Sequence, residues 1–407
     1  MTQTLAWPQL SGRVARLPAP VVALGAFAAA RCAGVAVLAA VARRTGQDTF
    51  ALLGASWDAR WYTGIAAHGY GRTLHFGPDV VHSDLAFFPL YPGLIRAAAT
   101  VLPVSTPAAG ILVAWLAAAL AAWGIYAIGA HLYDRRTATL LVVLWGLLPH
   151  SVVLSMAYTE PVLTACAAWS LYALLTGRWV WAGALASLAG LSRPNGFAVA
   201  AAVILAAAFE VVRGRGWGRG RGRGRGWGRG RQGRGRAQRR PRLWLGALLA
   251  PTGWCAYVLW VGRREGDLLG GYFGVQDGWG SRFDLGLASL RFTRHMLVDG
   301  ERFVFPMTLV IVAAGVLLFA LLVADRAPLA LIAYSGVLLL IVVGGSGFFE
   351  SKARFLLPAF PLLIPLARAL ARTAKARPWH ATVVIAALAG LSMGYGAYLV
   401  AVAKTPL

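Results

Sequence analysis

Apolar runs close to the length of a membrane-spanning helix recur from Pro20 almost to the C-terminus, and they restrict this chain more than any other feature. A helix of about 20 apolar residues matches the hydrocarbon thickness of a bilayer. Composition agrees: 58% of the residues are hydrophobic and 13% are charged, where a soluble domain has roughly half and a quarter. The expectation is an all-α polytopic membrane protein, one integral domain over 1–407 with no separate soluble domain. Runs at 20–42, 107–132, 138–156, 161–177, 179–192, 197–212, 243–262, 303–324, 327–344, 354–371 and 380–403 give about eleven crossings. Residues 85–101 are also apolar, but Pro89 and Pro92 interrupt them and Arg96 falls inside. A helix lying in the interface or re-entering, rather than a crossing, is expected there, with interfacial helices in that loop.

Basic residues near span ends tend to stay in the cytoplasm. Arg13 and Arg16 before the first run, Tyr133-Asp134-Arg135-Arg136, Asp325-Arg326 and the run Arg372 to Arg377 therefore mark the inner side. Loops 43–106, 263–302 and 345–353 then face outward, as expected for a multi-pass protein of the plasma membrane. The net charge is +24, and thirteen of the arginines fall in Arg213 to Arg242, which holds no acid. Lacking apolar content, residues 213–242 are expected to form a disordered, expanded cytoplasmic loop. Its arginines, interleaved with Trp217 and Trp227, could bind RNA or anionic lipid. The preference for cytoplasmic positive charge accounts for them without a nucleic-acid partner, and none is expected. Cys32, Cys166 and Cys255 sit inside apolar runs without ligand spacing, which points to packing.

On this topology the acids and the isolated cations gather on the outer side. Trp57-Asp58-Ala59-Arg60-Trp61-Tyr62 opens the first outer loop. Read as a helix, it places Trp57, Trp61 and Ile65 on one apolar stripe and Asp58 with Tyr62 on the next. The plainer reading is an interfacial anchor whose Asp58 points at water. Yet Glu160, Arg193 and Arg354 also lie at outer span ends, with Gln276, Arg282 and Lys352 in or near outer loops. A carboxylate near membrane depth is costly unless it meets a partner or a polar cavity. A polar cleft under the outer interface is the simplest common home, the alternative being separate ion pairs and headgroup contacts.

Such a cleft suits a reaction between a lipid-borne substrate and a polar acceptor. Asp58 is the candidate to take the proton of an attacking sugar hydroxyl. Arg193, Lys352 and Arg354 are candidates for the phosphate that leaves. Glu160 could orient a sugar, pair with Arg193 or bind a cation. His68, His75 and His82 recur at sevens, but Gly and Pro lie between them, so no shared helix face and no metal site follows. A transporter or flippase for a lipid-linked substrate is the alternative. Its ionisable groups are expected near the bilayer midplane, with repeat symmetry between halves, and neither is evident.

WDARWYTGIAAHGY, AFFPLYPGLIR, SMAYTEP and LAGLSRPNG resemble, in order and spacing, the PIG-V type of mannosyltransferase, known in eukaryotes as GPI mannosyltransferase 2. VQDGWGSRF and ESKARFLLPAFPL resemble its later patterns, so the likeness covers roughly residues 20–370. The Arg-rich stretch departs from the family. The resemblance implies a GT-C-type bundle with its active site on the non-cytoplasmic side. It further implies a polyprenyl- or dolichyl-phosphate-mannose donor, a glycolipid or other acceptor, and inverting single-displacement transfer. Asp58 falls at the position of the expected catalytic acid. Trp57, Arg60, Trp61 and Tyr62 beside it, with Glu160, Arg193, Gln276, Trp279, Arg282, Lys352 and Arg354, would line the donor or acceptor pockets. A divalent cation at Asp58 with Glu160 is open, since some GT-C enzymes require one and others do not.

Overall fold

The computed structural model describes residues 18–76, 80–219, 241–299 and 302–403. In chain order the helices are α1 (Ala19–Arg44), α2 (Thr49–Gly54), α3 (Asp58–His68), α4 (Leu90–Val101), α5 (Thr106–Leu132), α6 (Arg135–Gly146), α7 (Glu160–Leu175), α8 (Trp179–Gly190) and α9 (Phe197–Arg219). They continue with α10 (Pro241–Arg264), α11 (Gly271–Gly278), α12 (Leu287–Asp299), α13 (Val304–Ala324), α14 (Leu329–Gly344), α15 (Lys352–Phe355), α16 (Ile364–Ala376) and α17 (Pro378–Ala401).

The chain is an integral membrane protein of helical build. Among the described residues, six helices are long and apolar enough to cross a bilayer, and a seventh crossing arises if the bent pair 349–355 and 360–376 is one span. This differs from about eleven full spans. The runs at 161–177, 179–192 and 327–344 form shorter helices of 16, 12 and 16 residues. The run at 138–156 breaks after Gly146 into a 3-10 turn, Ser151–Ser155. Hydropathy registers apolar length and is blind to such breaks, which a membrane protein accommodates where neighbouring segments supply the missing hydrogen bonds. Arg31 of α1 donates to the Ser151 carbonyl, and Trp115 Nε1 to that of Ser155 at 3.3 Å.

Helix α4 is 12 residues long, about 18 Å, and too short to cross, as its prolines suggested. The first loop is not wholly helical, however. Thr73–His75 (β1) and Val81–Ser83 (β2) pair antiparallel, with Leu74 opposite His82. Three-residue strands carry too little alternation to be read from sequence. The predicted disordered segment 213–242 is helical as far as Arg219, and 220–240 lies outside the described residues, as do Asp79 and both termini.

The main core lies among α1, α5, α6, α7, α8, α9 and the C-terminal helices, with Phe27 of α1 stacked on Trp145 of α6 at 5.1 Å. Polar groups sort to two levels. Arg368 of α16 pairs with Asp325 after α13 at 2.6 Å and lies over Tyr133 after α5, at 5.0 Å. These groups come from the segments that sequence assigned to the inner side. At the other end of α5, about 40 Å away along its 27 residues, Tyr91 of α4 donates to the Gly110 carbonyl. The loops predicted to face outward gather at that level, with Asp58 and Glu160.

Candidate active site

Both acids stand at helix starts, where the unpaired backbone N–H groups favour negative charge. Asp58 is the first residue of α3. It is placed there by a tight turn in which Ala59 N–H donates to the Ser56 carbonyl at 3.0 Å. Trp57 occupies the first central position of that turn with φ 47° and ψ −116°, a conformation that usually demands glycine. Trp57 is therefore outside the helix. The buried face of α3 consists of Ala59, Tyr62, Thr63, Ile65 and Ala66, not the stripe Trp57–Trp61–Ile65. Trp61 stacks on Phe87 at 5.6 Å and meets Trp279 edge-on at 5.2 Å.

Glu160 opens α7, with Pro161 next to it in the first turn. The two helix starts are clasped together, since Ala157 N–H donates to the Leu53 carbonyl at 2.8 Å. Arg193 is extended (φ −159°, ψ 161°) because Pro194 excludes the helical region for the residue before it. That break ends α8 and turns the guanidinium back toward α7. Arg354 is carried by the short helix α15, within a span broken by Pro358 and Pro361.

These four side chains form one linked set. Arg193 Nη1 binds Glu160 Oε1. Arg354 Nε is 3.7 Å from the same oxygen, and Arg354 Nη2 is 2.7 Å from Asp58 Oδ2. Arg354 also lies over the Tyr158 ring at 5.2 Å. Glu160, Arg193 and Arg354 are buried, whereas the Asp58 side chain is 19% exposed. Lys352, two residues before Arg354, is buried and donates to the carbonyls of Val342, at 2.7 Å, and Gly345.

This set forms one wall of a cavity of about 1130 Å³. Trp57, Asp58, Arg60, Trp61, Tyr62, Arg193, Gln276, Trp279, Arg282, Lys352 and Arg354 all line it, while Glu160 lies behind the wall. The far side is aromatic and held by loop contacts. Trp279 Nε1 donates to the Ser83 carbonyl at 3.0 Å and its ring stacks on His82 at 4.0 Å. Gln276 donates to Tyr272 Oη at 2.8 Å. Arg282 pairs with Asp277 at 2.8 Å in an exposed position. Burial holds the Tyr62 and Tyr272 phenols well above their ordinary value, so neither serves as a base near neutrality. Burial pulls the His82 imidazole below its ordinary value.

Arg72 and His82 are lining residues for which sequence gave no role. Arg72 sits over the Trp61 ring at 5.2 Å, its backbone N–H held by Asp84 Oδ2 at 2.8 Å. Only the hairpin, invisible in hydropathy, brings them to the cavity. The divalent cation that sequence left open does not fit between these acids, because the Arg354 guanidinium pairs with Asp58 and faces Glu160. Among the described residues no group of three His, Cys, Asp or Glu side chains could hold a metal.

Residues 88–219, about a third of the chain, match a family described as dolichyl-phosphate-mannose-protein mannosyltransferase. No curated protein matches the chain. Among solved structures, the Archaeoglobus fulgidus oligosaccharyltransferase tethered with an acceptor peptide aligns over 95% of this chain at 15% identity and a TM-score of 0.51. The apo form gives the same identity, coverage and TM-score, and the complex with Zn and sulfate gives 0.50 over 91%. The chain spans about half the length of these structures, 54–56%. The chain shares the helical fold of these structures.

Proposed function

We propose that this protein is a mannosyltransferase of the PIG-V type. It moves a mannosyl residue from polyprenyl- or dolichyl-phosphate-mannose to a hydroxyl of a glycolipid or other acceptor, on the outer face of the plasma membrane. The single observation that carries this reading is the cavity wall. A solvent-accessible carboxylate, Asp58, lines the same cavity as three buried cations, Arg193, Lys352 and Arg354, and pairs with the last of them.

The chemistry follows from those groups. Asp58 accepts the proton of the acceptor hydroxyl as its oxygen attacks the anomeric carbon from the face opposite the phosphate, which inverts the centre. The bond between that carbon and the phosphate oxygen breaks, and its electron pair leaves on the lipid phosphate. The arginines and Lys352 stabilise the charge that develops there. The family match over 88–219, which includes Glu160 and Arg193, supports a mannosyl donor. The test is transfer of labelled mannose from polyprenyl-phosphate-mannose in membranes. Asp58→Asn is expected to lower turnover by about 10²–10⁴-fold at unchanged expression, and wild-type turnover would remove Asp58 as the base. Movement of substrate across sealed vesicles without a covalent product would establish the transporter alternative instead.

A further inference from the structure

The base has to be free to take a proton, yet an Asp58 oxygen is committed to Arg354 at 2.7 Å. Of the two arginines in the set, Arg354 is the one that faces both acids. Its Nη2 serves Asp58, its Nε faces Glu160 at 3.7 Å, and its Nη1 is buried without a hydrogen-bond partner. Glu160 does not depend on Arg354 for neutralisation, since Arg193 binds the same oxygen. Arg354 and Lys352 both line the cavity, so an anion within it meets the guanidinium fork of Arg354, while the Lys352 ammonium is held by the Val342 and Gly345 carbonyls. A guanidinium grips phosphate oxygens in bidentate fashion, as it does a carboxylate.

We propose that Arg354 is a transferable counter-ion: it pairs with Asp58, and the phosphate of the lipid donor takes it over and uncovers the base. This rests on the glycosyl-transfer reading with Asp58 as base. Its consequence is order, with lipid phosphate binding before a productive acceptor. Charge supports it. Apart from Arg60, Arg72 and Arg282, which also line the cavity, the five groups Asp58, Glu160, Arg193, Lys352 and Arg354 sum to +1. A sugar-bearing phosphodiester, with one negative charge, brings the sum to zero. After transfer the acceptor proton is on Asp58 and the released monoester carries the second negative charge, so the sum is again zero. The sum over these groups and the phosphate does not change through the reaction, so no new uncompensated charge arises beside the buried arginines.

The test uses the purified full-length protein, polyprenyl monophosphate as the lipid probe and dicyclohexylcarbodiimide as a reagent for accessible carboxyls. Mass spectrometry reads the adduct at Asp58, and radiolabelled lipid phosphate reads binding. Lipid phosphate is expected to raise the Asp58 adduct by about tenfold, one decade in an equilibrium constant. Arg354→Gln should label strongly without lipid and gain nothing from it. If that variant fails to fold, Arg354→Lys, which keeps the charge and loses the fork, should label above wild type and respond less. Binding of lipid phosphate with an unchanged or smaller adduct would overturn this inference alone. Failure to bind lipid phosphate would overturn it together with the donor assignment. Uncovering without any mannosyl transfer would uphold it and remove the mannosyl reading.

Discussion

At the scale of single residues, burial decides which ion pairs matter. Glu160 sits between two guanidinium groups at 1% exposure. Glu160→Gln leaves Arg193 and Arg354 buried without enough negative charge, and breaking such a pair costs about 3–5 kcal/mol. Thermal unfolding in detergent should show that loss. The exposed pair Asp277–Arg282 is screened by water, so Asp277→Asn should cost no more than about 1 kcal/mol. His82 gives a pH signature with a definite sign. Burial lowers its affinity for protons in the folded protein below the ordinary value of 6.5, so the unfolded chain binds the proton more readily. Its contribution is complete above 6.5 and is lost as pH falls through that value toward the lowered one. The melting temperature should decline over this window, and His82→Gln should remove that part of the decline. The acids and arginines of the site were legible in sequence because a charge beside an apolar run needs a partner. Which charge takes which partner was not, since Arg354 and Asp58 are nearly 300 positions apart.

At the scale of elements, breaks position the chemistry more than the helices do. The turn Ser56–Ala59 aims Asp58 into the cavity only because Trp57 accepts a glycine-like backbone, a conformation that costs about 1–3 kcal/mol. Sequence suggested instead that Trp57 continues the helix, since side-chain periodicity carries no information about the sign of φ. The close approach of α8 and α10 is a second case. A Cβ at Gly183 would run into the Gly246 carbonyl, while one at Gly93 of α4 meets nothing within 4 Å. Gly183→Ala should therefore reduce folded yield and melting temperature, and Gly93→Ala should leave both near wild type. Size-exclusion profiles of the two variants in detergent check the contrast.

For the whole molecule, the separation of the Tyr133–Asp325–Arg368 level from the Asp58–Glu160–Arg193–Arg354 level is what makes a one-sided active site feasible. The orientation proposed here puts the acids outside. A single cysteine introduced at Leu268, in a cysteine-free background, should react with an impermeant thiol reagent in intact cells, and one introduced at Arg326 should react only after lysis. The opposite pattern would place the cavity in the cytosol. The Arg/Gly-rich stretch adds positive charge to the side predicted as cytoplasmic without contributing any described cavity residue. Removing residues 220–236 should leave the proposed mannosyl transfer nearly intact.

Sequence by itself determined that this chain enters a membrane, which runs are apolar enough to lie there, and which charged residues need company. Those properties are local: they follow from the cost of exposing a side chain to hydrocarbon, which each stretch carries with it. Tertiary structure alone decided where the apolar runs break, that a hairpin brings Arg72 and His82 to the cavity, and that Arg354 rather than Arg193 holds Asp58. Those outcomes depend on close packing between segments distant in the chain, where steric fit and charge balance are settled only after the helices have met.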